Sequence, residues 1–399
     1  MQSGWRVGSI VGIPLYIDYS WFVIVLLVTF LYGSDPTWQS AWGGLAWGAG
    51  LALALLLFAS VLLHELGHSL VARRQGIQVN SITLFLFGGI ASIDKESKTP
   101  GQAAQVAIAG PLVSFGLYIG LSLLAQAQVL PAMAQQLTYH VAQTNLVLTL
   151  FNLIPGLPLD GGQVLKAMVW KATKSRIKGV RWAARVGQVL GWTAIALGLF
   201  AYFTAQRLDL LWIALIGWFA VRNASSYSRV SDLQEAVAAL TASDAMAREL
   251  RVVDAHMTLR QFADEYLLQE GRPPTFFAAS EGRYRGQIRV DDIRAIERSQ
   301  WEHLTLQDIA HPLSEIASVG EQTSLAEVIE QLETLNLKRI TVLTLADAVA
   351  GTIDRGDIVK ALAQKMNLAV SEAVIQRIKD EGAYPPGLQL PAIAKAAME

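Results

Sequence analysis

Long apolar runs fill the first 222 of the 399 residues and are missing from the rest, and no other feature constrains the fold as strongly. Six of them, at about 19–33, 43–72, 102–127, 139–155, 183–204 and 208–222, read as membrane-spanning helices. About 20 apolar residues in a helix cross a hydrocarbon core of roughly 30 Å. The third run is interrupted by Gly110–Pro111 and by Gly116. Acids follow the same divide. Residues 1–222 hold only Asp18, Asp35, Glu65, Asp94, Glu96, Asp160 and Asp209, and the other 26 of 33 lie beyond. The net charge of −1 therefore averages a basic membrane half and an acidic soluble half. No basic stripe interleaved with aromatics is present, which argues against nucleic acid as a partner.

Between the second and third runs lies Ser81–Ser92, too short to span a bilayer, rich in β-branched and aromatic residues, and carrying Gly88–Gly89. It predicts a short strand or re-entrant hairpin. Such backbone is tolerated at membrane depth only where protein or a water-filled cavity covers it, so this segment is expected to line a cavity. Basic residues set the orientation. Arg6, Arg73–Arg74 and the Lys166–Arg185 loop mark the cytoplasmic side, whereas Gly33–Trp42 and Gln128–Tyr139 contain no Lys or Arg. Six crossings then place both termini in the cytoplasm of a prokaryotic inner membrane or its equivalent. Met1–Ile17 lacks a small-residue cleavage site and does not read as a removable leader.

Residues 223–240 read as a polar linker. Beyond it, 241–299 and 306–366 repeat at an offset of about 65. Leu259-Arg-Gln-Phe262 aligns with Leu325-Ala-Glu-Val328, and Gly286-Gln-Ile-Arg-Val-Asp-Asp-Ile293 with Gly351-Thr-Ile-Asp-Arg-Gly-Asp-Ile358. Each unit reads as helix, strand, turn, strand and helix, and the pair resembles a tandem CBS domain. The tail, 367–399, holds one more amphipathic stretch and a Pro-Pro-Gly break.

The chemistry sits in the second apolar run, in VLLHELGHSL, with His64, Glu65 and His68. Spacing of i and i+4 puts both imidazoles on one helical face, where they can share a tetrahedral metal. Glu65 stands beside the first ligand, placed to take a proton from a metal-activated water. On a soluble helix the string would be ordinary polar surface. Inside an apolar helix an unpaired charge costs at least about 2.5–3.5 kcal/mol, so three ionisable residues in five positions imply a divalent cation. With cysteine absent, the remaining ligands must be His, Asp or Glu.

The fourth run supplies a candidate third ligand in FNLIPGLPLDGG, with Asn152, Pro155, Pro158 and Asp160. Proline cannot continue the helix, and Gly161–Gly162 allow a tight turn that aims a carboxylate back. Taken alone, Asp160 reads equally well as the N-cap of the next helix. Asn152 reads equally as a hydrogen-bond donor to substrate or as a helix–helix contact. His140 reads as a membrane-interface histidine, and His256, His303 and His311 as surface residues of the soluble region.

A membrane-embedded HELGH followed by N-x-x-P-x-x-P-x-D-G resembles the site-2 protease family of intramembrane metalloproteases. The fold class expected is an α-helical polytopic membrane protein with a short re-entrant β segment, plus a soluble α/β tandem CBS domain. The domain boundaries expected are 1–222 for the transmembrane protease, 241–366 for the CBS pair, and 367–399 for the tail. The resemblance implies one Zn²⁺ per chain held by His64, His68 and Asp160, with Glu65 as catalytic base. It implies that Gly88–Gly89 lie on a strand that meets substrate. Where many members carry Asn after the Gly-Pro of the third helix, this chain has Ser114. The substrates implied are transmembrane proteins, such as an anti-sigma factor or a membrane-bound transcription factor.

CBS domains often hold adenosine nucleotides through an Asp near the second helix, and Asp292 and Asp357 occupy that place. The hydroxyl residue usual three positions earlier is replaced by Arg289 and Asp354. A purely structural role, or homodimerisation through the CBS domains, is the competing reading. Two other functions compete for the whole chain. A CBS-gated transporter should spread polar residues along a path or repeat its broken helices in two halves. Here the intramembrane polar residues converge on one site. An inactive metal-binding scaffold has no need of Glu65.

Overall fold

The structure is a computed structural model that describes residues 4–86, 88–93, 97–267, 275–385 and 387–398. Pro386, within the expected Pro-Pro-Gly break, and Phe87, beside the paired glycines, lie outside the described residues. The chain divides into two compact units, Met1–Arg229 and Val230–Glu399.

The first unit opens with a β-hairpin, β1 (Trp5–Ile10) and β2 (Ile13–Ile17). Helices α1 (Tyr19–Gly33), α2 (Pro36–Trp42) and α3 (Leu45–Arg74) follow. A second hairpin, β3 (Val79–Phe85) and β4 (Gly88–Ile93), precedes α4 (Pro100–Gln126), α5 (Ala132–Asn152), α6 (Asp160–Thr173), α7 (Arg176–Ala205) and α8 (Leu211–Ala239). Helix starts are set by local chemistry. Asp18 accepts from Ser20 N, Asp35 precedes Pro36 and caps α2, and Thr99 precedes Pro100 and caps α4. Lys174 in the left-handed region ends α6, and Ser175 caps α7.

Among the described residues, α3, α4, α7 and α8 are long and apolar enough to cross a membrane. The α1–α2 pair, bent by 69°, makes a fifth if it counts as one span. Helix α5, with 21 residues, is not among them, because Gln135, Gln136, His140, Gln143 and Asn145 dilute its apolar surface.

The two hairpins join in one sheet of order β1-β2-β3-β4, with β2 and β3 parallel and the other pairs antiparallel. Strand β4 is therefore an edge strand of the sheet among the described residues. Ile13, Val79 and Ile82 of the sheet pack on Ala72, Leu62 and Leu66 of α3. The sheet thus lies along the helix that carries the histidines.

Two expectations change here. Helix α4 runs unbroken through Gly110 and Pro111. Pro111 has no N–H for the carbonyl of Ala107, so the turn is loosened without ending. The stretch expected as a linker, 223–240, is helical to Ala239. Its Leu233, Ala236, Val237 and Leu240 recur at helical spacing and join the core of the second unit.

The second unit contains α9 (Ala242–Ala245), β5 (Leu250–Asp254), α10 (Leu259–Phe262), β6 (Thr275–Ser280), β7 (Arg283–Ile288), α11 (Val290–Ala295) and α12 (Leu306–Ile309). It continues with β8 (Ser318–Gly320), α13 (Leu325–Thr334), β9 (Arg339–Leu343), β10 (Val349–Asp354), α14 (Arg355–Lys365), α15 (Glu372–Glu381) and α16 (Leu390–Met398). Sheets β5-β6-β7 and β8-β9-β10 share one topology, a parallel pair followed by an antiparallel one. The tail is not a loose end. Ile375, Ile378, Leu390 and Ala394 enter the same core as Leu325, Ile329 and Leu362.

Candidate metal centre

His64 and His68 project from one face of α3 and are both buried. After α5 ends at Asn152, the chain turns through Pro155 and Pro158, with a cis Leu157–Pro158 bond, and re-enters helix at Asp160. Glycines let this loop pack closely. A Cβ at Gly162 would meet the backbone of Gly156, and one at Gly187 of α7 would meet the Leu157 carbonyl. Leu157 N–H donates to Ala183 O of α7 at 3.2 Å, so the loop is tied at both levels.

The loop brings Asp160 Oδ2 to 3.1 Å from His64 Nε2 and 3.3 Å from His68 Nε2. The two Nε2 atoms are 3.2 Å apart. In a tetrahedral zinc site, bonds of about 2.0–2.1 Å set the donor atoms about 3.3–3.4 Å from one another. Three donor atoms at that spacing fit such an ion. Among the described residues this is the one group of His, Asp and Glu that converges in this way. Asp160 is the first residue of α6, whose N-cap is Leu159 with no side-chain cap. Its carboxylate therefore serves the histidines, not the helix.

The outer ring nitrogens are held as well. His68 Nδ1 lies 2.7 Å from the Val106 carbonyl, on the turn of α4 loosened by Pro111. A carbonyl only accepts, so this nitrogen carries the proton and leaves Nε2 a free lone pair. His64 Nδ1 lies 2.9 Å from Ser114 Oγ, a hydroxyl able to accept from a protonated Nδ1 as an amide oxygen would. A Cβ at Gly110 would fall on His68 Nε2 and His64 Nε2, so only glycine leaves the ligand atoms clear.

Glu65 is half-buried and takes no place among the three converging donors. A Cβ at Gly89 would lie 3.2 Å from Glu65 Cδ, so the edge strand β4 passes directly against this side chain. Gly89 thus stands beside Glu65, whereas a Cβ at Gly88 would meet only Val61. Asn152 closes α5, half-buried, eight residues before Asp160.

Asp292 and Asp357 are far apart in character. Asp292 is half-exposed and pairs with His311 Nε2 at 2.6 Å. Asp357 is buried, forms a reciprocal capping box with Asp354 at the start of α14, and is bound by the Lys379 ammonium of α15. Lys379 also lies 3.7 Å from Asp354, and Arg339 lies 3.3 Å from it. Sequence reasoning missed Lys379, because a lone lysine on an amphipathic tail helix carries no motif. It equally missed the Val106 carbonyl, which no side-chain pattern can signal.

The model of peptidase family M50 matches residues 52–138 and 119–194, and that of the CBS domain matches 306–364. The chain is 42% identical over 366 residues to a Synechocystis protein named "Putative zinc metalloprotease sll0528", covering 91% of this chain and 96% of that one. It is 29% identical to zinc metalloprotease MJ0392 of Methanocaldococcus jannaschii, covering 91% and 97%. The solved site-2 protease from Methanocaldococcus jannaschii is 31% identical and covers 57% of this chain and 95% of that one, with a TM-score of 0.42.

Proposed function

The chain belongs to peptidase family M50, and from that premise we propose that it is an intramembrane zinc endopeptidase that cuts peptide bonds in or near transmembrane segments. One observation carries this reading. Two imidazoles of a membrane-length helix and the Asp160 carboxylate of α6 converge at zinc-like spacing, with a spare carboxylate and a strand edge alongside.

His64, His68 and Asp160 would hold the ion. Zinc, when bound, supplies Lewis acidity and lowers the pKa of a coordinated water to about 7. Glu65 takes the proton from the attacking water and passes it to the leaving amine. A substrate helix hides its carbonyls in internal hydrogen bonds and must unwind to be cut. Strand β4 offers an edge on which the unwound segment is held extended, with Gly88 and Gly89 giving its backbone room to approach. Asn152 donates to the substrate carbonyl.

In this reading six segments cross the membrane, both termini and the CBS region are cytoplasmic, and the substrates are membrane-anchored regulators of the anti-sigma or transcription-factor kind. The CBS region regulates the protease, with an adenosine nucleotide held on the Asp292 side.

Glu65→Gln tests the core of the proposal. The variant should bind zinc at the wild-type ratio and cleave nothing. Membrane-fragment proteomics of cells carrying it should lack peptides that wild-type cells release. Retained hydrolysis would refute the role of Glu65.

A further inference from the structure

Two buried polar residues outside the ligand set face each other between α3 and α5. Asn145 is fully buried and Ser60 nearly so. Asn145 Nδ2 donates to Ser60 Oγ at 2.9 Å and to the Val141 carbonyl at 2.8 Å. Because the Val141 carbonyl only accepts, the atom facing it is nitrogen, and the orientation of the amide is fixed. Asn145 Oδ1 is left buried with no donor. Ser60 in turn donates to the Leu56 carbonyl at 3.1 Å.

The positions of these two residues give the bond its meaning. Ser60 lies four residues before His64, so it shares the ligand face of α3. Asn145 lies seven residues before Asn152, on the face of α5 whose end leads into the loop carrying Asp160. The hydrogen bond therefore joins the helix of two donors to the helix whose C-terminal end leads to the third. Apolar side chains in lipid do not fix how one helix slides or turns on another, whereas a directed interhelical hydrogen bond does. A slide of about 1 Å is enough to spoil a constellation built on donor spacing.

We propose that Asn145 is a positioning residue of the metal centre, clamping α5 to the ligand face of α3 one turn from His64 so that Asp160 meets the histidine pair. This rests on the reading of His64, His68 and Asp160 as zinc ligands.

Asn145→Leu in the full-length protein, purified in detergent, tests it. The substitution nearly conserves volume, and it orphans no buried group. Ser60 still donates to Leu56, the Val141 carbonyl keeps its ordinary helix bond, and the unsatisfied Oδ1 disappears. The melting temperature of the metal-free protein should therefore stay within a few degrees of wild type. Zinc affinity, measured by competition with a chelator, should fall about 10-fold or more, the range seen when supporting partners of metal ligands are lost. Ser60→Ala, which cuts the same bond from the other side, should weaken zinc in the same direction. The reciprocal exchange, Ser60→Asn with Asn145→Ser, should recover affinity. Zinc affinity within about twofold of wild type in folded Asn145→Leu and Ser60→Ala would overturn the proposal. Failure of the wild-type protein to take up zinc would instead overturn the ligand assignment.

Discussion

At the scale of single residues, the metal centre is a matter of which side chains are absent as much as which are present. Gly110 leaves clear the space where a Cβ would fall on His64 Nε2 and His68 Nε2. Gly110→Ala is therefore expected to reduce bound zinc severely while α4 stays helical, read by zinc stoichiometry and circular dichroism together. Normal zinc content in that variant would mean the ligand atoms move away freely. Asp160→Ala should lower zinc occupancy as much as His68→Ala does, because each leaves two protein donors. Full metal content without Asp160 would place the third ligand elsewhere. These residues were legible because metal chemistry restricts both type and spacing, and because charge inside an apolar helix demands a reason. Ser60 and Asn145 were not legible. A single Ser or Asn in a membrane helix is common, and only the fold shows that these two meet.

At the scale of elements, helices announced themselves and strands did so unevenly. Strands β3 and β4 were visible in the β-branched run before Gly88–Gly89, whereas β1 and β2 were not. Their hairpin turns on Val11 and Gly12, both at positive φ, and valine is a poor residue for that conformation, so the turn has no sequence signature. The two CBS-like halves differ by elements as well. In the second half α15 covers α14. Burial, and then the neighbouring Asp354, push the Asp357 carboxyl above its usual range, and Lys379 draws it back. In the first half Asp292 is half-exposed and pairs with His311. At most one nucleotide per chain is therefore expected, bound on the Asp292 side. Titration calorimetry of the full-length protein with ATP, ADP and AMP should give weaker binding in Asp292→Ala and unchanged binding in Asp357→Asn. No heat with any nucleotide at millimolar concentration would leave the region as a dimerisation or docking element.

At the scale of the whole molecule, the proposed topology makes a simple claim about sidedness. Ser34 follows α1 in a segment without Lys or Arg, and Ser175 sits at the basic turn between α6 and α7. The native chain has no cysteine, so each position can be labelled against a silent background. In sealed vesicles, a cysteine introduced at Ser175 should react with an impermeant reagent only from the cytoplasmic face, and one at Ser34 only from the opposite face. The reverse pattern would invert the orientation and the compartment that receives the product. The orientation proposed here rests on the charge asymmetry of the loops. The division after Arg229 falls inside the 223–240 stretch expected to separate the two regions, although that stretch is helical.

The Lys379 clamp has a practical bearing on where this chain can be cut. A boundary drawn after Met366 would retain the whole stretch matched by the CBS domain model and look natural on sequence grounds. It would also strip the second unit of the ammonium that sits between Asp354 and Asp357, and of Ile375, Ile378 and Leu390 from its core. Buried Asp357 would lose its Lys379 partner while Asp354 kept Arg339, beside a freshly bared apolar face. Expressed alone from Val230, a second unit so shortened should aggregate, while one running from Val230 to Met398 should stay soluble. For handling this protein, charge compensation marks the edge of the folding unit better than the family boundary does.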